Sequence, residues 1–130
     1  MNQKKLVVIF MALALPAVAL FAVSSFQNTC SNIKFIYEGN SPVLSATCLR
    51  KNGTVKPSKL VLQGISNQNG RLVKRTGEST FQKSCGNIRI EVAGSTSVIL
   101  TALCRKTDGS SIPAKLPLDG ISNQDGTLTE

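Results

Sequence analysis

The chain of 130 residues contains no histidine, no tryptophan and one tyrosine, and its 7 acidic residues are outnumbered by 15 basic ones. Without histidine the commonest general base is absent, and a nucleophile of the Ser-His type cannot be assembled. Glycoside hydrolysis needs two carboxylates facing each other across a bond. The candidates here, Glu38, Glu91, Asp119 and Asp125, fall in turns or at unrelated places, so the sequence does not read as that of an enzyme. The four cysteines lack the close Cys-x-x-Cys pairs of zinc sites, and no metal or other cofactor is expected. With Tyr37 the only tyrosine, there is little to stack on bases, and the basic residues form no continuous tract. No specific nucleic-acid partner follows; the charge implies solubility and weak, non-specific attraction.

Long hydrophobic runs are scarce too, with one exception. Lys4 and Lys5 precede an apolar run from Leu6 to Val23 that contains Pro16 and many alanines, the pattern of a secretory signal peptide. An uncleaved anchor is the competing reading. Small residues at Ala17-Val18-Ala19 and Ala22-Val23-Ser24 suit processing, and the expected junction is Ser24/Ser25. Residues 1–24 then form the leader and 25–130 a single domain that is secreted, or periplasmic in a bacterium, with no stable membrane insertion. Loss of Lys4 and Lys5 lowers the formal charge from +8 to +6, since all seven carboxylates lie beyond residue 25.

What the sequence does have is a duplication. Phe26-Gln27-x-x-Cys30-x-Asn32-Ile33 returns as Phe81-Gln82-x-x-Cys85-x-Asn87-Ile88, and Gly64-Ile65-Ser66-Asn67-Gln68 returns as Gly120-Ile121-Ser122-Asn123-Gln124. The offset grows by one between the paired cysteines, which places a one-residue insertion there. The copies, about 25–79 and 80–130, are each too small to bury a self-sufficient core and must be stapled or complete one another. In an exported chain four cysteines imply two disulfides. Bonds Cys30 to Cys48 and Cys85 to Cys104 are symmetric and keep every strand in its own copy.

No segment beyond the leader carries the sustained i, i+3, i+4 spacing of a long helix. Alternating apolar residues at Ile33, Phe35 and Tyr37, a β-prone run from Val43 to Arg50 and the turn chemistry between them predict a hairpin, repeated at 88–103. Lys51-Asn52-Gly53 and Lys106-Thr107-Asp108-Gly109 read as turns, and Lys59–Leu62 and Lys115–Leu118 as short strands. Gly64-Ile65-Ser66 reads as a helical turn. Asn69-Gly70 and Asp125-Gly126 have hairpin-turn chemistry. Lys74–Thr80 has no periodicity and reads as a flexible linker or hinge. One glycosylation sequon, Asn52-Gly53-Thr54, lies in a turn.

The set Phe26-x-x-Thr29-Cys30, Leu44-x-Ala46-x-Cys48-x-Arg50-x-Asn52-Gly53, Leu60-x-Leu62 and Ile65-x-Asn67-x-Asn69-Gly70-x-Leu72, with its second-copy counterpart ending in Asp125-Gly126-Thr127-Leu128, resembles the cyanovirin-N homologues, the CVNH lectins. The resemblance covers essentially all of residues 25–130. It implies a mainly β, pseudo-two-fold fold of short antiparallel sheets and hairpins with short helical turns. It also implies an in-repeat disulfide in each copy and non-catalytic binding of mannose-rich oligosaccharides or glycoproteins in two pockets.

The first pocket implied draws on Ser25, Asn28, Thr29, Leu49, Lys51, Asn123, Gln124, Asp125 and Gly126. The second draws on Asn67, Gln68, Asn69, Gly70, Ser79, Thr80, Lys83, Ser84, Arg105, Lys106 and Thr107. Hydroxyls, amides and a carboxylate suit sugar hydroxyls, which both donate and accept; the Asn, Asp and Gly residues also build turns. The chain departs from the family pattern at Leu49, Lys51, Asn69 and Lys83, which ranks the pocket holding Asp125 and Thr29 first. The linker lacks the family's Trp and Pro and is longer, so the expected state is a monomer or a domain-swapped dimer. A secreted structural or interaction module on the same fold, with sugar binding lost, is the alternative.

Overall fold

The computed structural model describes residues 23–130. All but the end of the expected leader lies outside the described residues. From Phe26 onward the chain forms ten strands and two 3₁₀ turns: a 3₁₀ turn at Phe26–Asn28, β1 Cys30–Glu38, β2 Ser41–Leu49, β3 Val55–Val61, β4 Gln63–Gln68, β5 Arg71–Glu78, a second 3₁₀ turn at Phe81–Lys83, β6 Cys85–Ala93, β7 Ser97–Arg105, β8 Ser111–Pro117, β9 Ser122–Gln124 and β10 Thr127–Thr129. The fold is mainly β, as expected, and every strand pairing is antiparallel.

Each copy supplies a three-stranded sheet, β1-β2-β3 or β6-β7-β8, and a hairpin, β4-β5 or β9-β10. The hairpins are exchanged: β10 lies against β3, and β5 against β8. A lobe is therefore one copy's sheet closed by the other copy's hairpin. Proline cannot donate to a ladder and is confined to sheet edges and strand ends; Pro57 and Pro113 stand on the edge strands β3 and β8, and Pro42 at the start of the central strand β2.

The one-residue insertion is visible in the first hairpin of each copy. Glu38 pairs with Ser41 across the two residues Gly39-Asn40, whereas Ala93 pairs with Ser97 across three, Gly94-Ser95-Thr96. Upstream, both copies carry a bulge at the repeated Cys-x-Asn, where Asn32 (φ 53) and Asn87 (φ 50) take the left-handed conformation that asparagine tolerates. The cysteines stay directly opposed: Cys30 faces Cys48 and Cys85 faces Cys104, each pair forming a disulfide with Cα atoms 4.1 and 4.0 Å apart.

The core is shared rather than divided. Phe26 and Phe81, Leu44 and Leu100, Ile65 and Ile121, and Leu72 and Leu128 are equivalent pairs buried in one continuous cluster. Phe35 of β1 meets the ring of Phe81 edge-on with centroids 6.3 Å apart, joining the copies. The glutamine after each core phenylalanine crosses between copies as well. The Gln27 amide donates to the Ser95 carbonyl (2.9 Å), and that of Gln82 to the Asn40 carbonyl (3.0 Å).

Two expectations are corrected. Gly64-Ile65-Ser66 is strand β4, not a helical turn; a bulge between Gln63 and Ile65 places Gly64 at φ +74, where a Cβ would stand 1.9 Å from the Arg75 carbonyl oxygen. The 3₁₀ turns lie instead at the two Phe-Gln motifs. Residues 74–78, read as linker or hinge, continue β5: Lys74 pairs with Ile65 and Glu78 with Gln63. Their polarity reflects exposure of the strand, not lack of structure.

Ser24, which the expected junction places at the end of the leader, packs against the domain. It is 1 % exposed, donates its hydroxyl to the Leu118 carbonyl and accepts from the Ile121 amide. Ser79, its counterpart, is 7 % exposed, donates to the Leu62 carbonyl (2.6 Å) and accepts from the Ile65 amide (3.0 Å). Each hydroxyl thus satisfies two backbone groups of a buried turn, and leaving them unpaired costs about 1–3 kcal/mol. A chain beginning at Ser25 should therefore be less stable than one beginning at Ser24 by about that amount, measured as a shift in the chemical denaturation midpoint; coincident midpoints would show the hydroxyl to be dispensable. Replacing either cysteine pair with alanines should cost about 2–4 kcal/mol in the same measurement, because each bridge closes a loop in the unfolded chain.

Candidate functional site

The exchanged hairpins set the sites. At its tip, each hairpin turns through two residues with positive φ, Asn69 (51°) and Gly70 (89°) in one, Asp125 (52°) and Gly126 (92°) in the other, the pattern of a type I′ turn. Glycine is required at the second position for space as well. A Cβ on Gly126 would lie 2.7 Å from Cγ of Arg50, and one on Gly70 2.8 Å from the Ile112 side chain. Both tips press directly onto the sheet of the other copy.

An asparagine fastens each tip. In the first site the Asn123 amide nitrogen donates to the Thr29 hydroxyl (2.9 Å) and the Leu49 carbonyl (2.9 Å), while its oxygen accepts from the Gly126 amide (2.7 Å). In the second, Asn67 donates to the Ser84 hydroxyl (2.9 Å) and the Arg105 carbonyl (2.9 Å) and accepts from the Gly70 amide (2.7 Å). The next contact is where the sites differ chemically. Asp125 Oδ1 accepts from the Lys51 amide (2.8 Å). Asn69 Oδ1 accepts from the amide (2.9 Å) and the hydroxyl (3.1 Å) of Thr107. The inward atom must be an acceptor in both, so the outward atom is a carboxylate oxygen at Asp125 and an amide donor at Asn69.

The structure thus brings together Thr29, Leu49, Lys51, Asn123, Asp125 and Gly126 at one end, and Asn67, Asn69, Gly70, Ser84, Arg105 and Thr107 at the other. Gln124 and Gln68 are exposed beside the tips and donate back to Ser122 and Ser66. Lys106 lies against Gly70. Asn28 turns to the Ser95 carbonyl (3.2 Å) rather than to the hairpin, and Ser25 and Thr80 use their backbone amides on Ile121 and Ile65. The Ser79 hydroxyl is buried and bonded to two backbone groups, which gives it a part in holding the fold.

Turns support both rims. Asp108 Oδ1 accepts from the Ser110 hydroxyl (2.6 Å) and amide (2.9 Å), which holds its carboxyl below the usual carboxylate value. Asn52 makes the equivalent pair to Thr54. Next to the second tip lies a cleft of about 300 Å³ lined by Lys83, Ser84, Asn87, Leu103, Arg105 and Ser111. A roomier cleft of about 530 Å³ between the copies is lined by Ser79 and Lys83, both expected in the second pocket, together with residues that the sequence did not single out, among them Asn40, Gln63, Glu78 and Gln82. Among the described residues no cluster of three His, Cys, Asp or Glu side chains is placed to hold a metal.

These features can be set beside known proteins. The family model of the CVNH domain matches residues 26–129. Among solved structures, microvirin bound to mannobiose is 35 % identical over 82 % of this chain and 97 % of its own, with a TM-score of 0.61. The CVNH protein of Gibberella zeae is 29 % identical over 81 % of this chain and 95 % of its own, with a TM-score of 0.59. That of T. borchii is 28 % identical over 81 % and 97 %, with a TM-score of 0.64. No curated protein matches the chain. With a family match spanning almost every described residue, and an overall fold similar to these structures, the chain belongs to the CVNH family, the cyanovirin-N homologues.

Proposed function

We propose that the protein is a secreted, non-catalytic lectin that binds mannose-type oligosaccharides, and that the site at Asp125 carries the neutral-sugar recognition. The observation that supports this most directly is the arrangement at that tip. Asp125 fixes one carboxylate oxygen on the Lys51 amide and leaves the other without a protein hydrogen bond, at the tip that the Asn123 side chain ties to the Thr29 hydroxyl. Adjacent sugar hydroxyls donate and accept together, and an anionic acceptor flanked by a hydroxyl and backbone groups matches them. Microvirin, a relative, is known in complex with mannobiose, which supports the same ligand class here. A single carboxylate at this tip gives no partner for acid-base hydrolysis, which requires a pair. The apolar run after Lys4-Lys5 supports export.

Asp125→Asn isolates the charge, because an asparagine at this position can keep the backbone contact just as Asn69 keeps its contact to Thr107. By calorimetry with mannobiose, the variant should bind roughly fivefold more weakly, since a charged acceptor is worth about 1 kcal/mol more than a neutral one. Binding by the parent should change little with salt, because hydroxyl recognition neutralises no charge. Unchanged affinity in a folded Asp125→Asn protein would remove Asp125 from the site, and absence of mannobiose binding by the parent would defeat the reading as a whole.

A further inference from the structure

The duplication provides an internal comparison of the two sites on the same backbone. In each copy the strand after the second cysteine bonds back to the 3₁₀ segment, Leu49 amide to Thr29 carbonyl (2.9 Å) and Arg105 amide to Ser84 carbonyl (3.0 Å). Around that shared bond the side chains diverge. Lys83 stands where the first copy has Asn28, Arg105 where it has Leu49, and Ser111 where it has Val55. Leu49 and Val55 are paired across β2 and β3 and are 44 % and 61 % exposed; Arg105 and Ser111 are paired across β7 and β8. At these positions the apolar pair Leu49 and Val55 of one copy gives way to a cationic, hydroxyl-bearing cleft on the other, whereas the cations of the first tip, Arg50, Lys51 and Lys56, stand around the turn that carries the Asp125 carboxylate.

That cleft, about 300 Å³, is lined by Lys83, Arg105, Ser84, Ser111 and Asn87 and by no carboxylate. Among the described residues neither Lys83 nor Arg105 is in a salt bridge. Of the nearby acids, Asp108 belongs to the adjoining turn, where its carboxylate is taken by Ser110, and Glu78 lines the neighbouring cleft with Lys83 without forming a salt bridge to it. The tip beside the cleft presents Asn69, an amide, where the first site presents Asp125. A neutral sugar has little to gain from two uncompensated cations. A phosphate or sulfate ester fits them: a guanidinium and an ammonium supply charge-assisted donors, and the serine hydroxyls and asparagine amides hold the sugar that carries it.

We propose that the second site binds an oligosaccharide carrying an acidic ester, with Lys83 and Arg105 on the anion and Asn69, Ser84 and Thr107 on the sugar, while the first site takes the neutral glycan. The inference rests on the lectin reading above and assigns the two sites different ligands. Its test is a titration of the ¹⁵N-labelled chain with mannobiose, with phosphorylated mannobiose, with its sulfated counterpart and with inorganic phosphate. The amides of Ser84, Arg105 and Thr107 report on the second site, and those of Leu49, Lys51 and Gly126 on the first.

The expected result is that an acidic ester perturbs the second site at concentrations about tenfold or more below those mannobiose needs there, and that this preference fades as salt rises from about 0.05 to 0.5 M. Whichever ester binds tighter identifies the substituent. The double variant Lys83→Asn with Arg105→Leu installs residues the first copy already carries on the same backbone. It should lose the preference and leave mannobiose at the first site unchanged. Equal binding of neutral and acidic forms at the second site, a preference that survives the double variant, or inorganic phosphate binding as tightly as the esterified sugar would each overturn the proposal. Mannobiose at the first site in those cases leaves the lectin reading standing, whereas no saccharide at either site defeats both.

Discussion

Asn67 and Asn123 hold the molecule to its plan. Each side chain closes its own hairpin tip through the glycine amide and, with its nitrogen, grips a hydroxyl and a carbonyl on the sheet of the other copy. All the polar capacity of a carboxamide is used except one lone pair. Without that grip the β4-β5 and β9-β10 hairpins would keep their apolar contacts and a few further bonds to the partner copy, such as Asp125 to the Lys51 amide, Asn69 to Thr107 and the Leu128 amide to Ser58, but would lose the clamp that ties the turn itself to that copy. Two-stranded hairpins are marginal in isolation, and here their register and height above the sheet decide where Asp125 and Asn69 stand. The burial of Ile65, Leu72, Ile121 and Leu128 supplies most of the free energy, and the asparagines fix the geometry.

Much of this was legible in the residues. The doubling, the strand alternation, the cysteine pairing and both type I′ turns follow from local rules, and the one-residue insertion resolves to a two-residue against a three-residue hairpin loop. What escaped had non-local causes. Lys74–Glu78 carries no apolar alternation because the strand is exposed; its partner, β4, is bent by a glycine bulge that composition does not reveal. Ser24 and Ser79 look like ordinary polar residues near a leader and a linker. Only the fold shows that they replace missing backbone partners in buried turns. The site residues were placed by resemblance, and the structure gathers most of them. That Asn28 bonds to the Ser95 carbonyl and that the Ser79 hydroxyl is buried on backbone partners could not be read in the sequence, because both depend on which segments the fold brings beside them.

The two ends of the molecule show how much freedom the scaffold leaves. Backbone bonds, glycine positions and the asparagine grip are repeated almost atom for atom, while the side chains that rim each tip, Leu49 and Lys51 against Arg105 and Thr107, have changed character. Positions that carry the fold and positions that face solvent alternate along the same few residues. Charge and polarity can therefore be altered at one end without altering the core.

The exchange of hairpins also bears on how such a chain could arise. One copy alone has a sheet without a lid and a hairpin without a sheet, so a single repeat is geometrically complete only as a pair of identical chains, each lending its hairpin to the other. Such a homodimer would carry two identical sites and could not change one without changing both. Joining the copies end to end, through a segment that now runs as strand β5 into Ser79, made the pairing intramolecular and freed each end to evolve on its own.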